Sequence, residues 1–209
     1  MSAAWHELAS PYHCRATRVG ILDPIIRRYR QPHRHYHTLE HIEEMLAIID
    51  EHRERLLEYE PIAFATWFHD IVYDPRRDDN EERSAIVARR TMPKLMVHGW
   101  MTLRAVALIR ATRRHEPPDA SFDSALFIDA DLAILGADPE RYRRYATDIR
   151  REHAHLSDDE YRLGRRTTLE RFLARTTIYH TDPMRDRLEA HARANILAEL
   201  ADLAELADH

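Results

Sequence analysis

The sequence predicts an all-α fold, a single helical bundle of about eight or nine helices, and three observations carry that expectation. Apolar residues recur at spacings of three and four along most of the chain. Only 4 glycines occur in 209 residues. The strict apolar–polar alternation of half-buried strands is scarce throughout.

Taken in order, "HTLEHIEEMLAIIDEHRERLLE" places Leu39, Ile42, Leu46 and Ile49 on one face, which predicts an amphipathic helix from about 38 to 58. "PIAFATWFHDIVY" follows, with Pro61 suited to a first turn. It is apolar almost all round and so is expected to be buried. Asp74-Pro75 is expected to end it, because a residue before proline avoids the helical region. "DDNEERSAIVARRTM" opens with carboxylates that suit a helix N-terminus, and Pro93 limits its far end. "WMTLRAVALIRATRR" predicts a further helix closed by "HEPPD". "SFDSALFIDADLAILG" runs from a Ser121 cap to Gly136, expected as a C-terminal stop. Asp138-Pro139 and Asp182-Pro183 each read as an N-cap with proline at the first helical position. "SDDE" at 157–160 matches a capping box. The apolar "ANILAELADLAEL" near the end suits either the core or a partner.

Composition bounds the function. Hydrophobic residues make up 44% and charged residues 32%, the balance of an ordinary globular chain. A net charge of -5 with no basic block argues against a nucleic-acid partner. The basic residues are arginines except Lys94, a bias from which no function follows. Cys14 is the single cysteine, so an intrachain disulfide framework and a Cys-rich zinc site are excluded. "MSAAWHELASPYHCR" lacks the apolar core of a signal peptide, and no run reaches membrane-spanning length. A cytoplasmic protein without a membrane partner is the expectation. Fifteen histidines, several of them clustered, are the one oddity.

Four places set ionisable groups against apolar surroundings. His37 and His41, four apart, share one side of a helix start. His69-Asp70 sits among Phe64, Trp67, Phe68, Ile71 and Val72. A buried carboxylate there needs a partner, which a metal ion or an arginine supplies. Asp129 and Asp131 interrupt an apolar run, and two residues apart on a helix they point about 200° apart. One of them suits a ligand, the other solvent or a supporting role. His115 lies beyond the end of an apolar helix.

The order His, then His-Asp, then Asp on successive apolar helices resembles the HD superfamily of metal-dependent phosphohydrolases. More narrowly, "RHYHTLEHIEEML", "FHDIVYDP", "NEERSA", "FIDADLAILG" and "RYRRYATDIRRE" look like the bacterial family of predicted HD-superfamily phosphohydrolases, over about residues 30 to 200. The resemblance implies one domain over 1–209, with a metal-site core at about 30–136 and C-terminal helices at about 139–208. It implies His41, His69, Asp70 and Asp131 as metal ligands, with Asp131 preferred to Asp129. A divalent transition metal (Mn, Fe, Co or Ni) fits two imidazoles and two carboxylates, and would activate water against a phosphorus atom. By analogy His37 protonates the leaving group, and Asp70 is also a catalytic candidate. Glu81 or Glu82 on the next helix, Glu81 foremost, is the candidate to orient the water, though both also suit the helix dipole. Arg83, Arg113, Arg114 and Arg150 are candidates for phosphate contact, and His115 for phosphate or a second metal.

The implied activity is hydrolysis of a phosphoester or phosphoanhydride in a small substrate, foremost a nucleotide. No "GYP" follows the His-Asp pair, which sets the chain apart from the cyclic-di-GMP phosphodiesterases of that superfamily. Two other readings stay open: an HD-type di-iron oxygenase, and a non-catalytic nucleotide-sensing helical module.

Overall fold

The computed structural model describes residues 2–12 and 15–205; Cys14 and residues 206–208 of the expected C-terminal helix lie outside them. Ten α-helices, three short 3-10 turns and no strand occur among the described residues, as an all-α fold requires. Two helices that the patterning did not mark, α1 (Ser2–Ala9) and α2 (Arg15–Tyr29), open the chain. Gly20 and Pro24 break the propensity of α2, which hid it. The chain divides into two compact units, Met1–Ala130 and Asp131–His209.

In the first unit α3 (Leu39–Glu51), α4 (Tyr59–Phe68), α5 (Asn80–Thr91), α6 (Gly99–Ala111) and most of α7 (Phe122–Leu132) follow α2. The core is built on α4, which packs against α1, α3, α5 and α6. Every side chain from Pro61 to Phe68 is buried, as the all-round apolar pattern predicts. Trp5 of α1 meets Phe64, Trp67 and Phe68 edge-on, at centroid distances of 6.1, 5.3 and 6.3 Å. The N-terminus of α4 is held by Asp123 of α7, whose buried carboxylate accepts from the amides of Leu57 (3.0 Å) and Glu58 (2.7 Å). That carboxylate satisfies amides that a helix start leaves without intrahelical partners.

Two helices end earlier than expected. The helix from about 38 stops at Glu51 and gives way to a 3-10 turn, Arg53–Arg55, because the polar "RER" offers nothing to bury. More consequentially, α4 stops at Phe68 and not at Asp74, so His69 and Asp70 lie in a turn at its C-terminus. The backbone beyond it is satisfied by side chains in place of a helical ladder. Arg34 donates to the Asp70 and Ile71 carbonyls at 2.7 and 3.3 Å. The Ser84 hydroxyl accepts from the Val72 amide (3.1 Å) and lies 3.3 Å from its carbonyl. The Asn80 amide group bonds both the amide and the carbonyl of Asp74, at 3.1 and 2.9 Å.

The second unit begins in the last turn of α7 and contains α8 (Pro139–Glu152), α9 (Asp158–Leu173) and α10 (Asp182–Glu205). Its starts follow the sequence signals. Asp138 accepts from the amides of Glu140 and Arg141, both at 3.1 Å, and Ser157 and Glu160 close a reciprocal capping box. Asp182 is itself the first residue of α10, which puts Pro183 second.

Gly136 ends a 3-10 turn, Ala133–Gly136, and has no positive φ, so it is not the left-handed stop that the sequence suggests. Its role is close approach: a Cβ there would lie 2.6 Å from Leu188 Cβ, 2.8 Å from the Leu188 carbonyl oxygen and 2.9 Å from the Tyr179 hydroxyl. Tyr179 and Asn195 bond the carbonyls of this turn and its flanks, which leaves little room to give way. Gly136→Ala is therefore expected to lower stability by about 1–3 kcal/mol, read as a lower urea midpoint with an unchanged slope.

Candidate metal centre

The site grows from three local structures. Thr38 caps α3, its hydroxyl accepting from the Glu40 amide at 3.3 Å, and this start sets His41 in the first turn. The early end of α4 presents His69 and Asp70 at the negative pole of that helix, where a cation is favoured. The last turn of α7, a helix whose body belongs to the first unit, carries Asp131.

His41, His69 and Asp131 offer ligand atoms that all lie within 4.8 Å of one another. Both histidines are buried, at 2% and 1% exposure. The Nε2 atoms of His41 and His69 are 3.2 Å apart, and Asp70 Oδ2 lies 3.0 Å from His69 Nε2. Of the two aspartates on α7, Asp131 joins this group. Asp129 is fully buried, so the solvent-facing alternative does not apply to it.

The far sides of the imidazoles fix what the near sides present. His69 Nδ1 is 2.9 Å from the Thr66 carbonyl, which only accepts; Nδ1 therefore carries a proton, and in the neutral ring Nε2 turns a lone pair toward the cluster. His41 Nδ1 is 3.1 Å from the Tyr36 hydroxyl, which can accept from it and free Nε2 in the same way. Lone pairs of two imidazoles and a carboxylate then face one another at contact distance. A proton or a cation is needed to make that arrangement favourable. The donor set, nitrogen and carboxylate oxygen, is the one that divalent transition metals take.

The remaining expected residues divide. His37 Nε2 approaches Asp70 Oδ2 at 4.0 Å, and its ring stacks on Tyr73 at 4.0 Å and 26°. Glu81, half-buried at the start of α5, lies within electrostatic reach of Asp70, Arg113 and His115. Burial above all raises its carboxyl above the ordinary range. A hydrogen bond from its own backbone amide opposes this, Asp70 adds to it, and Arg113 and His115 oppose it. His115 follows the end of α6 with a left-handed φ of 50°, its amide bonded to the Thr112 carbonyl at 3.2 Å. Arg83 is exposed and bonds Asp79 at 3.2 Å. Arg113 reaches Asp78 at 4.0 Å. Arg150 belongs to the second unit, where it bonds the carbonyls of His153 and Leu156 and the Asp158 carboxylate.

Sequence reasoning missed Tyr36, Thr66, Tyr73 and above all Arg34. The Arg34 side chain is buried, its guanidinium 5.0 Å from the Tyr29 ring and 5.4 Å from that of Tyr73. It donates to the carbonyls of His37 (3.1 Å), Asp70 and Ile71, and so ties the segment before α3 to the turn after α4. The available signal was its place three residues before His37, one arginine among many. Lysine keeps the charge but not the fork of donors. Arg34→Lys is expected to stay folded and to bind metal about 10–100-fold more weakly by calorimetric titration, the effect seen when partners that orient ligands are removed.

Fold and site together define a class: an all-helical protein with two buried histidines and a half-buried aspartate placed so that they could hold a metal ion. No family model, no curated protein and no solved structure matches the chain. No described helix is long and apolar enough to cross a membrane.

Proposed function

We propose that the protein is a metal-dependent phosphohydrolase that cleaves a phosphoester or phosphoanhydride of a small substrate, foremost a nucleotide. The observation that supports the reading is the grouping of His41, His69 and Asp131 within 4.8 Å of one another, with Asp70 Oδ2 3.0 Å from His69 Nε2 and Thr66 accepting at the far side of His69. It rests also on the resemblance of the motif order to the HD superfamily. His41, His69, Asp70 and Asp131 would hold a divalent transition metal (Mn, Fe, Co or Ni), which would supply Lewis acidity toward a phosphoryl oxygen and an acidified water.

The chain's own groups take the remaining roles. Asp70, beside His69, orients the attacking water and can accept its proton. Glu81, held above the ordinary carboxyl range mainly by burial, is a second acceptor nearer neutral pH. His37, beside Asp70 and steadied on Tyr73, donates a proton to the departing oxygen. Arg113 and His115, which act on Glu81, neutralise phosphate charge.

The test is a screen of the purified protein, metal-free and then loaded with each of the four metals. Nucleoside mono-, di- and triphosphates, cyclic nucleotides and an aryl phosphate serve as substrates. Metal-dependent phosphate release is expected for at least one class. Tight metal binding without release from any of them would refute hydrolysis while leaving the metal centre standing.

A further inference from the structure

The surface feature least explained by a hydrolase site lies at one end of the helical hairpin formed by α5 and α6. The two helices pack together, and only residues 92–98, which include the 3-10 turn Met92–Leu95, join them. The end of α5 and the start of α6 therefore share one end of the hairpin. Three large apolar side chains are exposed there: Met96 at 71%, Trp100 at 51% and Leu103 at 66%. Trp100 and Leu103, three apart in the first turns of α6, face the same way. Met96 holds a left-handed φ of 62° at the cap of the 3-10 turn, just ahead of them.

The chain segment that forms this corner carries charge of one sign. No acidic residue occurs between Glu82 and Glu116, in a chain whose net charge is -5. Several basic residues of that stretch are met by carboxylates: Arg83 by Asp79, Arg104 by Glu58 and Asp119, Arg110 by Glu82, Arg113 by Asp78. Arg89 and Arg90 in the last turn of α5, and Lys94 in the connecting turn, are exposed and form no ion pair among the described residues. The cations without a close ion pair, of which Arg89 acts on Glu82 at longer range, thus lie at the end of the hairpin that exposes Met96, Trp100 and Leu103.

We infer that this end of the hairpin is a peripheral docking surface for an anionic lipid bilayer. Three observations select that occupant. A second copy of the chain placed on the same corner would bring Arg89, Arg90 and Lys94 against their own kind. A stable protein interface takes about 20–30 residues a side, far more than this corner offers. Interfacial membrane binding needs only a few inserted apolar side chains beside basic residues that meet anionic headgroups, and tryptophan is the residue enriched at that boundary. Such a surface needs no membrane-spanning run, so the hydropathy of the sequence gives no sign of it. The inference is independent of the metal centre.

Trp100 supplies the readout. The chain has 3 tryptophans, and the other two, Trp5 and Trp67, are fully buried. A blue shift of emission on adding vesicles therefore reports Trp100 entering an apolar phase. The experiment sediments the full-length protein with vesicles of phosphatidylcholine alone and of phosphatidylcholine mixed equally with phosphatidylglycerol. Binding with a blue shift is expected for the anionic vesicles only, and is expected to weaken in high salt. Arg89→Gln/Arg90→Gln/Lys94→Gln is expected to reduce vesicle affinity on the order of a hundredfold, at about fivefold for each basic residue. Trp100→Ser/Leu103→Ser is expected to lose binding while circular dichroism shows the helical fold kept, since both side chains are more than half exposed. Absence of binding to anionic vesicles, or binding that neither variant weakens, overturns the inference. So does analytical ultracentrifugation that finds a dimer which Trp100→Ser/Leu103→Ser dissociates.

Discussion

Asp131→Asn is expected to abolish metal uptake and to lower metal-dependent phosphate release by on the order of a thousandfold, the several kcal/mol of charge stabilisation that a Lewis acid supplies. The stability of the metal-free protein is expected to move the other way or not at all. His69 Nε2 stands 3.2 Å from His41 Nε2 and 3.0 Å from Asp70 Oδ2, with its other nitrogen committed to the Thr66 carbonyl. Without a cation these electron-rich groups are held together only by protons, so removing one negative charge from the group does not weaken the apo fold. A metal that binds the folded form alone raises its stability by RT ln(1 + [M]/Kd), about 2.7 kcal/mol at a hundred times Kd. Wild type is therefore expected to show a metal-dependent rise in melting temperature that Asp131→Asn lacks. Asp129→Asn separates the site from the helix that carries it: that carboxylate is fully buried and outside the converging group, so its loss should reduce stability more than metal affinity. A metal-dependent rise retained by Asp131→Asn and lost by Asp129→Asn would reverse the assignment of the two aspartates.

How far this site could be read from the chain depends on distance along it. Each candidate ligand is legible locally, as a polar residue beside apolar ones. His41 falls on a period of three and four, His69-Asp70 interrupts "FATWFHDIVY", and Asp131 interrupts "FIDADLAILG". The shape of the His-Asp segment was not legible. Pattern alone extends α4 to Asp74, because nothing in "HDIVY" is a helix breaker. The helix stops at Phe68 because Arg34, Ser84 and Asn80, all distant in sequence from the turn they serve or beyond it, satisfy the backbone of 70–74. Side-chain-to-backbone bonds of this kind leave no periodicity behind. The same limit hid Asp123, which reads as an acid at the start of α7 and acts as the cap of α4. Local caps fared better: Ser157-Glu160 and Asp138 bond within their own first turns, and the chain announces them.

Glu199→Ala is expected to be the most destabilising of the single substitutions considered, by about 3–5 kcal/mol, because it strands a buried cation. Arg165 and Glu199 are 7% and 10% exposed, and their pairing is bidentate, with Nε at 2.7 Å and Nη2 at 2.9 Å from the two carboxylate oxygens. The Tyr142 hydroxyl donates to the same carboxylate at 2.6 Å, and Arg165 Nη1 donates to the Tyr145 hydroxyl at 3.2 Å. Burial above all, and then the charge of Glu199, pushes the Tyr142 hydroxyl well above the ordinary tyrosine range, which keeps it a donor at neutral pH. Truncation at Glu199 removes the acceptor for three bonds at once and leaves a guanidinium that cannot shed its charge. Glu199→Gln keeps an acceptor for Tyr142 and should cost less than Glu199→Ala, though the buried charge of Arg165 still goes unanswered. Replacing both partners, as Arg165→Met with Glu199→Leu, removes the charges together and is expected to recover most of the loss. The three variants, compared by urea denaturation, form a test with an ordered outcome. Were the double variant as unstable as Glu199→Ala, packing around α9 and α10 and not the stranded charge would be the cause. The network lies wholly within the second unit, to which Asp131 alone of the candidate ligands belongs, well before Arg165 in sequence. A Glu199→Gln variant that remains folded should therefore keep its affinity for metal.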